Sequence, residues 1–439
     1  MRIARVLVAA VLGAVSIATV GCAPPQANNS QPQQTGAAGQ PVGDMTGELK
    51  VWLFQEASNA PKEAAVNEAK KEFEAAHAGV TVSVEYLPVD GRATRFNGAF
   101  NDKNSAPDVA EFGNTDLAGY TASNGFADLT NDLKAWPDSK DLVPAVADTA
   151  KINEKSYGIP WFTGTRALYY RTDVFTELAL TPPKTLGELT ETARKIHAAK
   201  PDLYGIAVGG KYLFALMPYI WANGGDIAKQ DGGKWTSTIN SPQARDGLRQ
   251  YAELIKDDIC PLAKCAQLTG SQSVTAFAGG AAGMTIGGDF NRKAVDGGAV
   301  KGKYAVVPLP GKEAGKIAPA FAGGNLLGVF RSSQKYTLSL EFIKLLGGKK
   351  YQEKMFSAMG NMPTFTDVQN KLAGSDPSLK PFIDTAQAGT RFVPATPAWT
   401  KIDAQAVIPT AVQQVATGGA SVEAATDTAA AEMNKAFGG

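Results

Sequence analysis

The sequence predicts an α/β protein with two lobes, built on a parallel sheet with helices on its faces. Length is the first observation, because 439 residues exceed what one ordinary core needs. Composition is the second, since 44% hydrophobic and 19% charged residues are typical of soluble globular proteins. Alternation is the third: strand-like segments at 48–54, 80–87 and 108–112 are interleaved with helical patterns at 62–76 and 116–122. Alternating strands and helices favour a parallel sheet.

The same alternation continues along the rest of the chain. A helix is predicted from Thr185, which stands at the N-cap with Glu188 at the capping-box position. Another is predicted from Ser241 to about residue 257. The remaining predictions are strands at 167–171 and 204–210, a helix end, strand and exposed loop over 276–290, a lobe crossover at 304–311, and an amphipathic helix at 338–346.

The N-terminus is typical of an exported protein. Arg2 and Arg5 precede an apolar run over 6–20, which is shorter than the ~20 residues of a membrane-spanning helix. Residues 1–22 are therefore predicted to be a signal peptide. The stretch 19–22 resembles the bacterial lipobox, with Thr19 in place of the usual leucine, and predicts a lipid on Cys22. An ordinary signal peptide with an incidental cysteine is the alternative.

Residues 23–45 are rich in Gln, Pro, Asn and Gly and have no apolar period. Such a segment cannot bury enough surface to offset its ordering entropy, so a disordered tether is predicted. In an oxidising exterior, Cys260 and Cys265 are expected to form a disulfide that closes a small loop.

Composition also excludes several function classes. The net charge of +1 offers no electrostatic reason to expect nucleic acid as a partner. The chain has two histidines, His77 and His197, and neither has a cysteine or second histidine beside it. Zinc sites and Ser-His or Cys-His catalysis are therefore disfavoured.

Two loops of the predicted parallel sheet are expected at one rim. Ligands of such sheets bind beyond the carboxyl ends of the strands. This places the loop at 55–56 and the loop at 113–116 side by side.

Seven segments of the chain carry recognisable motifs. In order, they are GELKVWLF at 47–54, the run at 106–130, GIPWFTGTRALYYRTDVF at 158–175, ANGGD at 222–226, the small-residue run at 276–288, FAGGNLLGVF at 321–330, and the run at 397–421. Together they resemble family 1 extracellular solute-binding proteins, the group that includes maltose-binding protein. The stretch within 106–130 that contains FGNT is also similar to actinobacterial binding proteins for oligosaccharides.

The resemblance implies a fold like that of periplasmic binding proteins, with hinge-linked lobes and a ligand cleft between them. Lobe 1 is expected at 46–158 and 309–360, and lobe 2 at 159–308 and 361–439. The implied function is capture of a sugar or oligosaccharide for the permease of an ABC transporter. The protein would be a monomer without catalysis or cofactor, held by Cys22 at the outer face of the cytoplasmic membrane. No GxxxxGK[ST] nucleotide motif occurs in the chain.

Sugars offer hydroxyls to polar side chains and C–H faces to aromatic rings. The resemblance marks Trp161, Phe162, Phe214, Trp221 and Trp399 as candidate aromatic contacts. Core packing is the alternative for the three tryptophans. If Trp399 contacts ligand, Trp399→Ala should weaken binding by about 1–3 kcal/mol and leave the fold intact.

Six polar residues complete the predicted site. Three of them have alternative structural roles. Asp116 would cap the helix that it begins, Asn325 would stabilise a turn, and Arg166 would pair with an acidic side chain. Asp289 follows Gly287 and Gly288, where many relatives carry tryptophan, and suggests a hydroxyl-binding carboxylate. The candidates are Glu56, Asn114, Asp116, Arg166, Asp289 and Asn325.

Two other functions stay open at this point. A secreted glycosidase would use two carboxylates, and Glu56, Asp116 and Asp289 are available, although their spacing does not favour it. A receptor for glycerol phosphate, a polyamine or a peptide is the other. A phosphate ligand would need clustered basic residues, of which Arg166 is the main one on the rims.

Overall fold

The computed structural model describes residues 45–56, 59–88 and 91–438. The predicted signal peptide at 1–22, the lipidation site Cys22 and the tether except Met45 lie outside the described residues. Within the described ranges, no helix is both long and apolar enough to cross a membrane.

The strands, numbered along the chain, are β1 (Gly47–Phe54), β2 (Val80–Leu87), β3 (Val109–Gly113), β4 (Lys151–Ile152), β5 (Lys155–Ser156), β6 (Ile159–Gly164), β7 (Arg166–Arg171), β8 (Ala228–Asp231), β9 (Lys234–Ser237), β10 (Met284–Gly288), β11 (Tyr304–Val307), β12 (Ala320–Phe321), β13 (Gly323–Val329) and β14 (Thr390–Arg391).

The helices are α1 (Ala60–Ala76), α2 (Arg92–Asn101), α3 (Leu117–Ala122), α4 (Thr130–Lys134), α5 (Pro144–Asp148), α6 (Thr172–Glu177), α7 (Leu186–Ala199), α8 (Leu213–Ala222), α9 (Pro242–Glu253), α10 (Leu262–Cys265), α11 (Gly270–Ala278), α12 (Arg292–Asp296), α13 (Tyr336–Leu346), α14 (Lys349–Met359), α15 (Thr366–Ser375), α16 (Lys380–Ala388), α17 (Ala398–Ala404), α18 (Val407–Ala416) and α19 (Val422–Ala436). Short 3-10 helices lie at Asn114–Asp116, Pro137–Asp141, Asp289–Asn291 and Pro377–Leu379.

The first lobe is built around a five-stranded sheet of order β2-β1-β3-β13-β6. β1 pairs in parallel with β2 and β3, as predicted, whereas β13 runs antiparallel to both β3 and β6. Alternate residues of β1 pack on opposite faces of this sheet, with Leu49 and Leu53 in one core and Trp52 and Phe54 in another. Helices α1 and α13 cover the Leu49 face.

The second lobe differs from the predicted parallel sheet. Its three strands, in the order β10-β7-β11, are all antiparallel. The predicted strand at 204–210 makes only isolated parallel bridges, Tyr204 with Ala282 and Ala207 with Thr285. Helices α7, α8, α9, α18 and α19 bury a large apolar core beside this sheet.

The chain crosses between the lobes later than the sequence predicts. Strand β6 pairs with β13 in the first sheet, so the first crossing follows Gly164 instead of residue 158. Strand β12 pairs with β14 before β13 re-enters the first sheet, which puts the second crossing near residue 322 instead of 309. Phe365 and Val368 still pack in the core of the first lobe, so the third crossing lies beyond 361.

Local predictions at helix starts and at the cysteines agree with the structure. The Thr185 side chain accepts a hydrogen bond from the Glu188 N–H at 3.0 Å, and the Ser241 side chain caps α9. Cys260 and Cys265 are joined, with their Cα atoms 6.1 Å apart.

Candidate ligand-binding site

One cavity of about 650 Å³ lies between the two sheets. This volume is within the range of about 300–1,000 Å³ that is usual for small-molecule sites. Its lining comes from both lobes and comprises Phe54, Gln55, Glu56, Arg92, Gly113, Asn114, Thr115, Asp116, Phe162, Thr163, Gly164, Arg166, Phe214, Phe290, Phe321, Gly323, Gly324, Asn325, Met359 and Asn361.

Strand direction explains why these residues meet. The carboxyl ends of β1 and β3 lie at one edge of the first sheet, and the loops at 55–56 and 114–116 follow them. Strand β6 ends at the same edge, where the antiparallel β13 begins. The predicted common rim of the two loops is therefore confirmed.

Seven of the predicted residues line this cavity. They are Glu56, Asn114, Asp116, Phe162, Arg166, Phe214 and Asn325. The set combines carboxylates, amides and the Phe162 ring on the first lobe with the Phe214 ring and the Arg166 guanidinium on the second.

The amides are held by specific partners. Asn114 is buried and donates from Nδ2 to the Ala322 carbonyl at 2.9 Å, which ties its loop to the second crossing segment. Asn325 donates from Nδ2 to Glu111 Oε1 at 2.6 Å. Glu56 accepts from Lys62 Nζ at 3.2 Å, so its carboxylate is paired with an ammonium although the side chain stays 34% exposed.

Asp116 precedes α3 but its side chain makes no capping hydrogen bond, so the helix-cap alternative does not hold here. Burial raises its pKa from the ordinary 3.8 to about 6, and the negative charge of Asp403 adds to the rise. The positive charge of Arg92 acts in the opposite direction. Asp116 is therefore a carboxyl group that ionises close to neutral pH.

Arginines on both lobes lie against aromatic rings. Arg92 stacks its guanidinium 3.3 Å from the centre of the Phe54 ring, and its buried Nε has no hydrogen-bond partner among the described residues. Arg166 donates from Nε to the Tyr212 hydroxyl at 3.0 Å. Its guanidinium lies 4.8 Å from the Phe214 ring centre and 5.6 Å from that of Phe290.

The second lobe presents an aromatic wall to the cavity. Phe214 stacks on Phe321 with ring centres 4.4 Å apart, and Phe321 stacks on Phe392. Phe290 is 41% exposed, an unusual state for so large an apolar side chain. A Cβ at Gly288 would approach the Phe290 ring to 2.2 Å, so this ring depends on the small residue beneath it.

A second cavity of about 450 Å³ adjoins the first and shares Arg166, Phe214 and Phe290 with it. Its other walls include Tyr212 and Asp403. The three shared side chains therefore border both spaces.

Three predicted tryptophan contacts are reassigned to core packing. Trp161 is 0% exposed and packs in the core beneath the first sheet. Trp221 and Trp399 are each 2% exposed and belong to the core of the second lobe. None of the three lines the cavity.

Asp289 also needs correction, from a hydroxyl-binding group to a buried acceptor. It is 2% exposed, and its Oδ1 accepts from the Thr165 N–H at 3.0 Å while Oδ2 accepts from the Met362 N–H at 3.3 Å. Thr165 and Met362 lie on segments that connect the lobes, so Asp289 ties these segments together. Burial raises the pKa of Asp289 to about 7, although the backbone N–H groups oppose the rise.

Asp289→Ala is expected to lower the free energy of unfolding by about 1–3 kcal/mol, because two buried N–H groups lose their acceptor. Urea unfolding measures this change. Asp296→Ala is the matched control, since Asp296 is exposed and accepts a hydrogen bond from the Tyr304 hydroxyl. Equal stability of the two variants would contradict the assignment.

The sequence prediction missed several cavity residues. Phe290 directly follows the candidate Asp289, and Phe321 lies four positions before the candidate Asn325. Arg92 and Asn361 lie in segments without any motif. Among the described residues, no group of three or more His, Cys, Asp or Glu side chains could hold a metal ion.

Comparisons with known proteins place this geometry in context. The profile of the family described as bacterial extracellular solute-binding protein matches residues 68–381. The diacetylchitobiose-binding protein DasA of Streptomyces coelicolor is 27% identical over 338 residues, which cover 74% of this chain and 75% of that protein. The galactooligosaccharide-binding protein of Bacillus subtilis is 26% identical and covers 95% and 93%, respectively.

A solved structure has the same fold. The ABC transporter solute-binding protein of Thermotoga lettingae, bound with α-D-tagatose, aligns with a TM-score of 0.75 and 25% identity. The alignment covers 89% of this chain and 99% of that one. The prediction of a two-lobed α/β fold is thereby confirmed.

Proposed function

Because this chain belongs to the family of bacterial extracellular solute-binding proteins, we propose that it captures a sugar or oligosaccharide outside the cell and delivers it to the permease of an ABC importer. The relatives that match are named as binding proteins, and the proposed role is likewise capture without chemical change. No cofactor enters this role.

The observation that carries the proposal is the composition of the cavity. One side offers the carboxylates of Glu56 and Asp116, which accept hydrogen bonds from hydroxyls. The other side offers the faces of Phe214 and Phe290, which suit the C–H faces of a sugar ring. The lining also holds the guanidinium groups of Arg92 and Arg166, which donate hydrogen bonds to ligand oxygens and balance the charges of the two carboxylates.

The proposal extends to location and assembly. Cys22, if lipidated, would hold the protein as a monomer at the outer face of the cytoplasmic membrane, with residues 23–45 as the tether. Such an environment is oxidising, which agrees with the joined Cys260 and Cys265. Closure of the lobes around the ligand would be a hinge motion at the crossing segments.

Titration calorimetry with the purified chain tests the proposal. The panel contains chitooligosaccharides, galactooligosaccharides, maltodextrins and single hexoses, with glycerol phosphate, a polyamine and a peptide as non-sugar controls. We expect saturable binding of a saccharide that is recovered intact afterwards. Binding only of a non-sugar, or release of new reducing ends, would contradict the proposal.

The pH dependence of binding is a further expectation. If ligand hydroxyls donate to ionised Asp116, whose pKa is about 6, affinity should rise about ten-fold from about pH 5 to about pH 7.5, following the ionised fraction. Asp116→Asn should flatten that part of the profile. An equally steep profile in the variant would show that another group is responsible.

The same raised pKa has the opposite consequence for stability. Folded Asp116 binds its proton more tightly than the unfolded chain, so its contribution to stability is greatest below the ordinary value of 3.8 and falls as pH rises through about 6. Ligand that pairs with the carboxylate would offset this loss.

A further inference from the structure

A buried ion pair lies directly behind the cavity wall. Lys62 of α1 is 1% exposed and Glu111 of β3 is 0% exposed, and Lys62 Nζ lies 2.9 Å from Glu111 Oε2. Neither residue lines the cavity. Any effect of this pair on a ligand must therefore pass through other residues.

Lys62 has a partner for each of its three N–H donors. Nζ donates to the Phe54 carbonyl at 2.7 Å, to Glu111 Oε2 at 2.9 Å and to Glu56 Oε1 at 3.2 Å. The Nζ atom also lies 5.1 Å from the centre of the Trp161 ring. The ammonium group is therefore held from several sides, and one of its bonds reaches a carboxylate of the cavity.

Glu111 makes the complementary set of contacts. Its Oε2 also accepts from the Phe54 N–H at 2.6 Å, and its Oε1 accepts from Asn325 Nδ2 at 2.6 Å. Asn325 lines the cavity on β13, on the far side of β3 from β1. The pair thus connects the end of β1 with two polar cavity residues, Glu56 and Asn325.

Stability alone is a weak reason for this arrangement. Desolvation of two charges costs several kcal/mol, and well-packed apolar residues of similar size are often as stable or more so. The pair instead holds two cavity side chains in place through hydrogen bonds to Glu56 and Asn325. Rigid binding sites need such a surrounding layer of hydrogen bonds, since it fixes the orientation of the side chains that contact the ligand.

We propose that Lys62 and Glu111 are positioning residues, which hold Glu56 and Asn325 in the orientation that receives the hydroxyls of the ligand. The inference rests on the proposed function and deepens it. A carboxylate held beside an ammonium accepts hydrogen bonds only, so this part of the cavity suits a ligand that donates, as the hydroxyl groups of a sugar do. An orientation set before binding reduces the ordering cost that the ligand would otherwise meet.

The main test replaces both charges together. Lys62→Met alone would leave Glu111 as an uncompensated buried charge and threaten folding, whereas Lys62→Met with Glu111→Gln removes both charges. We expect this double variant to fold and to bind the saccharide identified by calorimetry about ten-fold more weakly. Unchanged affinity would overturn the proposal.

A double-mutant cycle separates positioning from general support of the fold. If the pair acts through Glu56, adding the double replacement to Glu56→Gln should cost clearly less than the roughly ten-fold loss expected in the wild type, because only the effect through Asn325 remains. If the losses multiply instead, the pair acts independently of Glu56 and the proposal fails. Lys349→Met is the control, because Lys349 pairs with Asp141 and Asp367 and does not line the cavity, and its affinity should equal that of the wild type.

A ligand-free measurement distinguishes failure of this inference from failure of the proposed function. Crystal structures of the unliganded wild type and double variant should show the Glu56 carboxylate ordered in the first and displaced or disordered in the second. An identical Glu56 in both would overturn the positioning role. If the wild type binds no saccharide, the proposed function fails, and this structural comparison alone decides the role of the pair.

Discussion

Trp399→Ala is expected to lower the free energy of unfolding by about 3–5 kcal/mol, because the removed ring leaves a cavity in a closely packed core. Trp399 is 2% exposed, and it packs from α17 into the core that α18 and α19 also form. The structure therefore reverses the expectation drawn from the sequence, which was weaker binding with an intact fold. Urea unfolding followed by circular dichroism measures the change.

Trp399→Phe is the matched control for this prediction. Phenylalanine keeps an apolar ring of lower volume, so most of the lost stability should return. A Trp399→Ala variant with the stability of the wild type but clearly weaker binding would contradict the core assignment and restore the original interpretation.

Phe290→Ala is expected to weaken saccharide binding by about 2–3 kcal/mol, or roughly 30- to 150-fold, with little change in stability. Phe290 is 41% exposed, so its removal takes little from the core. It borders both cavities, and a ligand that covers it would bury its remaining apolar surface. Calorimetry measures the affinity, and urea unfolding measures the stability.

Trp235→Ala provides the comparison for Phe290. Trp235 is a partly exposed aromatic residue on β9 that packs near Phe437 and does not line either cavity. Its replacement should leave affinity unchanged. Equal affinity loss in the two variants would mean that the effect of Phe290→Ala is not local to the cavity.

Secondary structure near the site was predictable because it depends on local patterns. The alternation along β1 and β2, the helical spacing of α1 and the cap at Thr185 each involve neighbours within a few residues. The rule that loops after parallel strands share a rim then brought Glu56 and Asp116 together correctly. These inferences need no knowledge of which distant segments touch.

The order and direction of the strands in each sheet were less predictable, because strand pairing joins residues that are far apart in the chain. The residues at 323–329 carry no local signal that β13 inserts antiparallel between β3 and β6. Both of these strands lie more than 150 residues earlier in the chain. The same insertion brings Asn325 beside Glu111. The late crossings after Gly164 and near residue 322 follow from these pairings.

What the sequence by itself determined is which segments carry the site: the loops after β1 and β3, the run at 158–175, and the turn after β10. What only the tertiary structure decided is which neighbour in each segment faces the ligand. Adjacent strand residues point to opposite faces, so Phe162 lines the cavity while Trp161 packs in the core. In the turn after β10, likewise, Phe290 lines the cavity and Asp289 is buried. The segments that form the site can be recognised from local sequence patterns. Which side chains of a segment face the cavity depends on which of its sides is covered by core residues from distant parts of the chain.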